Sequence, residues 1–348
     1  MSVNRGDFME SKSRDPALDA LRGMAIVSVL MIHITADYIN APPDSLTYGL
    51  FNVVNQCFHW AVPVFVALTV YLGLKSGRRL GPMYVIKKAA PIAAVYFIWS
   101  AVYIGFRAVL YSAPLPDART LISDILQGGA CYHLYYMVML VQLYVVIALL
   151  SWLPIKKLRP RIWFLPGAIG IQILVLVGFV KLVMEGLGFY NSAILPIFYI
   201  LPITFGVMLA ADSERTRRFF SDFGPLLGVC WGFGIAAMAW YSAKGAVSFN
   251  GGTLARPIFN IVMTNLCNLG GIPLMFMLAE KLKGIELLRL LGQHSLAVYL
   301  AHPLVLMFID RYWSPNPILG MAVKTAALLG LSVIYVKCNT LFIKLRQS

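Results

Sequence analysis

The sequence predicts an all-α polytopic membrane protein with about ten transmembrane helices and both termini in the cytoplasm. Three observations carry that expectation. Of the 348 residues, 59% are hydrophobic and only 13% charged, with a mean hydropathy of +0.75. A soluble domain carries about 25% charged residues and needs them to cover its surface. Apolar runs of the ~20 residues that cross a bilayer recur near 17–37, 54–74, 89–111, 133–153, 162–180, 193–211, 224–242, 257–279, 294–311 and 317–337. Runs of that length suit helices, whereas a barrel shows alternating segments of about ten residues. Finally, the cations alternate from loop to loop. One set of loops holds 22 of the 29 Lys and Arg, and the opposite set holds six, with Lys324 inside the last run. The positive-inside rule places the richer side in the cytoplasm. The net charge of +14 is thus a topology signal, and no nucleic-acid partner is inferred from it.

In chain order, residues 1–14 (MSVNRGDFMESKSR) are polar and read as a cytoplasmic arm ahead of a membrane domain over 15–348. Asp15-Pro16 supplies a capping acid and a proline at the first helical position. No short apolar core with a cleavage site precedes the first span, which is therefore expected to be retained. The second span opens at NVVNQCFHWAVPVF, with His59 near the outer surface and Pro63 as a kink. The loop SGRRLGPMYVIKK follows on the cytoplasmic side. Span 3 ends at Arg107 and Tyr111, and the outer loop 112–132 has room for a short surface helix. Span 4 enters through CYHLYYMVMLVQLY, so His133 lies near its outer end and Gln142 within the membrane. Spans 5 to 8 carry few ionisable groups. Span 9, GQHSLAVYLAHPLVLMFI, brings His302-Pro303 to mid-bilayer.

Span 1 carries the sharpest signal. Arg22 and His33 are eleven residues apart, or three turns plus about 20°, so both fall on one face roughly 16 Å apart along the axis. Asp37 follows one turn later. Ionisable groups inside a bilayer are expensive and turn toward protein or water. His33 titrates near neutrality and suits a general base or acid, and Asp37 would hold one ring nitrogen and set its tautomer. The plain alternative is a histidine satisfied by a neighbouring carbonyl. Arg22 suits a phosphate contact through its forked geometry, although snorkelling to the interface would also explain it. Arg78, Arg79, Lys87 and Lys88 form a cytoplasmic cluster able to hold a phosphorylated donor or anionic headgroups. His133 stands among Tyr132, Tyr135 and Tyr136, and His302 and Gln142 are candidates for lining an internal passage. The five cysteines have no CxxC or CxxH spacing, so no metal site is expected; Cys57 and Cys131, both near the outer face, are read as buried thiols over a disulfide.

LDALRGMAIVSVLMIH resembles the first-helix signature of the membrane acyltransferase-3 family, an Arg and a His separated by ten residues, which Arg22 and His33 match. NVVNQCFHWAVPVFVALTVYLGL, CYHLYYMVMLVQLY and GQHSLAVYLAHPLV agree in the expected order and cover most of the chain. The resemblance implies ten helices in a bacterial cytoplasmic membrane. It also implies an acyl-CoA, with acetyl-CoA the expected co-substrate, loaded from the cytoplasm. The acceptor would be a hydroxyl of a surface glycan or its lipid-linked precursor. His33 would be catalytic and Arg22 donor-associated, while His133 and His302 fall in motif positions. Two departures touch the donor site: Leu68-Thr69-Val70-Tyr71 stands where relatives often read SGY or SGF, and Lys87 and Lys88 precede Pro91 in place of an Arg-rich entry. The expected function is thus an O-acyltransferase with no bound cofactor. His33 would act as base, with an acyl-imidazole intermediate as the competing route. A transporter of a glycan or lipid-linked oligosaccharide is the alternative, since intramembrane ionisable residues mark transport pathways too.

Overall fold

The computed structural model describes residues 15–36, 45–161, 163–175, 192–248, 255–313 and 317–347. The helices in chain order are α1 (Pro16–Ala36), α2 (Leu46–Phe58), α3 (Ala61–Leu74), α4 (Pro82–Tyr111), α5 (Ala118–Gln127), α6 (Tyr135–Leu150) and α7 (Phe164–Val175). They continue as α8 (Ile200–Ala211), α9 (Ser213–Asp222), α10 (Gly224–Ser248), α11 (Ala255–Leu282), α12 (Glu286–Gln293), α13 (Ser295–Tyr312) and α14 (Pro317–Gln347). No strand occurs among the described residues.

Each of the ten expected runs meets an apolar helix, but their lengths differ. Among the described residues, six stretches are long and apolar enough to cross a membrane: α1, α2 with α3, α4, α10, α11 and α14. α12 and α13 make a seventh if counted as one span bent by 83°. α6, with 16 residues, rises about 24 Å, short of the ~30 Å hydrocarbon core. α8 is shorter still, at 12 residues, and α7 is described over 12 residues. The short surface helix expected in the outer loop is α5. Asp117 caps it by accepting from the Thr120 amide at 2.7 Å, and that bond holds its carboxyl below the usual range.

α1 is the hub. It packs against α2, α3, α11, α12, α13 and α14, and Ala20, Leu21, Ala25 and Ile26 are wholly buried. With hydrocarbon outside, apolar burial drives no helix pairing, so close backbone approach and interhelical hydrogen bonds take over. Gly23 and Gly292 show the first device. A Cβ on Gly23 would meet the Leu288 carbonyl oxygen at 1.9 Å, and one on Gly292 would meet that of Asp19 at 1.9 Å. α1 and α12 thus touch backbone to backbone. The second device appears at the far end of α1, where Asn55 donates to the Ile32 carbonyl at 2.8 Å and to Thr35 Oγ1 at 2.9 Å. Its own carbonyl accepts from His59 Nε2 at 2.8 Å. α4 is stitched to α13 in the same way, Tyr103 donating to the Leu300 carbonyl at 2.6 Å and Tyr111 to that of Met307 at 3.0 Å.

The peripheral helices present apolar side chains outward. Only 22% of α4's membrane window is buried, and Ile98 and Val109 are exposed. Lys324 on α14, which the sequence leaves inside a span, is buried and paired with Asp310 of α13 at 2.5 Å. All five cysteines are free thiols; Cys131 is buried and Cys57 half-buried.

Candidate active site

Three histidines that the sequence keeps far apart meet on one side of α1. The His33 ring lies 5.1 Å from that of His302, stacked at 26°, and His302 lies 5.2 Å from His133. Tyrosines enclose them. Tyr132 lies 4.6 Å from His33, while Tyr103 and Tyr299 approach His133 edge-on at 5.2 and 5.0 Å. Tyr299 also donates its hydroxyl to the His133 carbonyl.

Local sequence explains the poise of His302. Pro303 sits inside α13 and has no N–H, so the Tyr299 carbonyl four residues earlier lacks its helical partner. His302 Nδ1 fills that place at 2.7 Å. A carbonyl only accepts, so Nδ1 carries the proton and Nε2 is left as a lone pair. That Nε2, and both ring nitrogens of His133, are buried with no hydrogen-bond partner among the described residues. An atom of this kind left unpaired would cost about 1–3 kcal/mol, so each is a place for a water or a polar ligand. His133 owes its place to Gly128, which ends α5 at φ +72°; a Cβ there would lie 2.5 Å from Tyr135 Cα. The chain therefore turns directly back into α6 with His133 in the turn.

Two cavities lead toward this cluster from the end where α1 begins. The lower one, about 510 Å³, is lined by Asp15, Asp19, Arg22, Lys75, Gln293 and Ser295 among others. Above it lies a narrower apolar cavity of about 220 Å³, which shares Arg22, Ser295 and Leu296 and ends at Tyr136 and Tyr299. Arg22 is held in the shared wall by Asp19 at 2.6 Å, and Gln293 donates to the other Asp19 oxygen at 3.0 Å. On the opposite side, a chamber of about 570 Å³ is lined by Arg107, Gly128, Gly129, Cys131, Tyr132 and Met307. Tyr132, half exposed, forms its floor and rests on His33. Tyr299, His302 and Tyr132 stand between the two sets of cavities.

The structure thus brings Arg22, His33, His133 and His302 into one system. Asp37 lies outside the described residues. Arg78, Arg79, Lys87 and Lys88 are exposed and line neither cavity; Arg79 lies over the Trp152 ring at 5.2 Å. Lys75, which the sequence offered only as topology signal, stands beside Arg22 in its place. Gln142 donates to the Ile194 carbonyl at 2.8 Å and lines none of these cavities. Asp19 and Gln293 were also missed, although the Asp19–Arg22 spacing of three residues was a visible pairing signal.

Comparison with known protein families matches residues 15–337 to the family described as "Acyltransferase domain". The chain belongs to the acyltransferase-3 family. No curated protein and no solved structure matches it. The protein is a multi-pass membrane acyltransferase, and the match covers α1 through most of α14, including every element of the histidine cluster. Among the described residues of this acyltransferase, no three His, Cys, Asp or Glu side chains are arranged to hold a metal ion.

Proposed function

We propose that this acyltransferase moves an acetyl group from acetyl-CoA, bound at the Arg22 end, to a glycan hydroxyl presented from the Tyr132 side. One observation carries the reading: cavities approach the histidine cluster from both ends, and only a few rings separate them. The Arg22 end is cytoplasmic by its cations, as are both termini, in a bacterial inner membrane. Arg22 and Lys75 would take the phosphates of the donor, for which a guanidinium fork held by Asp19 is suited. The apolar cavity above is narrow enough for the pantetheine arm and brings the thioester to Tyr299. A sugar would enter the outer chamber and stack on Tyr132. The same four sequence stretches resemble the O-acetyltransferase of enterobacterial common antigen, which points the acceptor toward a surface polysaccharide or its lipid-linked precursor.

In this reading His33 takes the proton of the sugar hydroxyl as its oxygen attacks the thioester carbonyl. The thiolate of CoA departs, and the proton passes from His33 to that sulfur. His302 Nε2 and His133 stand close enough to hold the proton in transit. The transporter reading has no observation in its favour. The test is CoA release from acetyl-CoA by the purified full chain. His33→Ala is expected to lower it by about 10²–10⁴-fold, the usual worth of a general base, with folding retained. An unchanged rate in His33→Ala would overturn the assignment, and a trapped acetyl-His33 would replace base catalysis by the covalent route.

A further inference from the structure

A second pair of cavities shares no lining residue with those that lead to the histidine cluster. One is an apolar groove of about 660 Å³ between α6, α7 and α8, lined by Val146, Phe164, Ile171, Ile200 and Val207. Its hydroxyl, that of Thr204, is already spent on the Ile200 carbonyl at 2.8 Å. The other, about 510 Å³, is lined by Arg161, Arg215, Arg218 and the rings of Phe219 and Phe223. Trp163 belongs to both.

The two meet end to end. Met208 lines the arginine pocket and Val207 the groove, so α8 runs from one into the other. From Val207 to Ile200 the groove follows about 10 Å of helix, most of one leaflet of a ~30 Å hydrocarbon core. The pocket is at the basic end of the bundle: Lys156, in the connection leading to Arg161, donates to the Ala210 carbonyl at 2.7 Å. Its shape is fixed by the α8–α9 corner. Asp212 caps α9 by accepting from the Arg215 amide at 2.9 Å, and the buried Thr216 hydroxyl bonds the Met208 and Asp212 carbonyls. Arg215 and Arg218, three residues apart, therefore share a face, while Arg217 turns away to Glu280 of α11. Two carboxylates temper the pocket: Asp222 in its wall, and Glu214 at 3.5 Å from Arg218 across a solvated pair. The three guanidinium groups still exceed them.

An anion site at the interface that opens directly into an apolar slot matches a molecule with a phosphate at one end and a hydrocarbon chain at the other. We infer that these cavities bind one anionic phospholipid, its phosphate on Arg161, Arg215 and Arg218 and an acyl chain in the groove beneath Trp163. Guanidinium forks pair with phosphate oxygens bidentately, and an indole at the boundary is a usual headgroup-level anchor.

The test compares retention of phosphatidylglycerol and phosphatidylcholine with matched chains by the full-length protein in native mass spectrometry, with thermal melting alongside. The wild type is expected to prefer phosphatidylglycerol by roughly tenfold. Substituting Arg161→Gln, Arg215→Gln and Arg218→Gln together should remove the preference but leave both lipids able to bind. Gly167→Phe should weaken both lipids, because a Cβ at Gly167 meets open space and the ring fills the groove without disturbing the fold. Inorganic phosphate should leave the melting temperature unchanged. Equal retention of the two lipids by wild type, an unaltered preference in the triple variant, or a shift with inorganic phosphate equal to that with phosphatidylglycerol would each overturn the inference.

Discussion

His302 shows how one residue's chemistry is set by its neighbour. Pro303 frees the Tyr299 carbonyl, His302 Nδ1 satisfies it, and Nε2 is left buried without a hydrogen-bond partner among the described residues. Pro303→Ala would return an N–H to the helix and compete for that carbonyl. We expect the variant to fold as well as wild type, or better, while CoA release falls by on the order of tenfold as the imidazole loses its fixed tautomer. A melting curve and an activity assay on the same sample separate the two effects. The sequence showed that Arg22 and His33 share a face, because that follows from helical period alone. It did not show that His133 and His302 would join them, since ring contacts between distant segments depend on how α13 packs on α1 and α4, and on where the turn before α6 is placed. Lys75 went unnoticed for a different reason: in a loop rich in cations, only geometry tells which one faces a cavity.

Among the elements, α12 falls between the expected runs 257–279 and 294–311. Its eight residues, ELLRLLGQ, are too few to cross a bilayer. Yet the leucine pairs are spaced as one helical face, of which Leu291 is buried and Leu287 exposed, and the backbone at Leu288 and Gly292 lies against α1. The contact has no slack. Gly292→Ala would drive a methyl group into the Asp19 carbonyl oxygen and should destabilise the protein by about 1–3 kcal/mol, as overpacking does. Because Asp19 pairs with Arg22 and accepts from Gln293, the same variant should raise the KM for acetyl-CoA more than it lowers kcat. A fall in kcat with KM unchanged would show that the α1–α12 contact does not shape the donor site.

At the scale of the whole molecule, apolar runs and cation bias made the all-helical membrane class legible, whereas span lengths were not. α6 and α8 look like full crossings by composition but are too short to be so on their own, and α12–α13 turns through 83°. Of these, α6 and the α12–α13 pair border the site, through Tyr136, Gln293 and Tyr299. They let carbonyls and polar rings face an interior instead of lipid, which unbroken helices would not allow.

The rings between the lower and outer cavities have a consequence for the cell as well as for the substrate. On the proposed reading, a passage that takes a thioester from one side and a sugar from the other would, if open, leak protons across the membrane. Tyr299, His302 and Tyr132 stand in that gap, where on that reading they would hold back the bulk electrolyte. Vesicles carrying the wild-type protein should hold an imposed pH difference, and those carrying Tyr299→Ala should dissipate it faster. Equal decay in the two would locate the seal elsewhere.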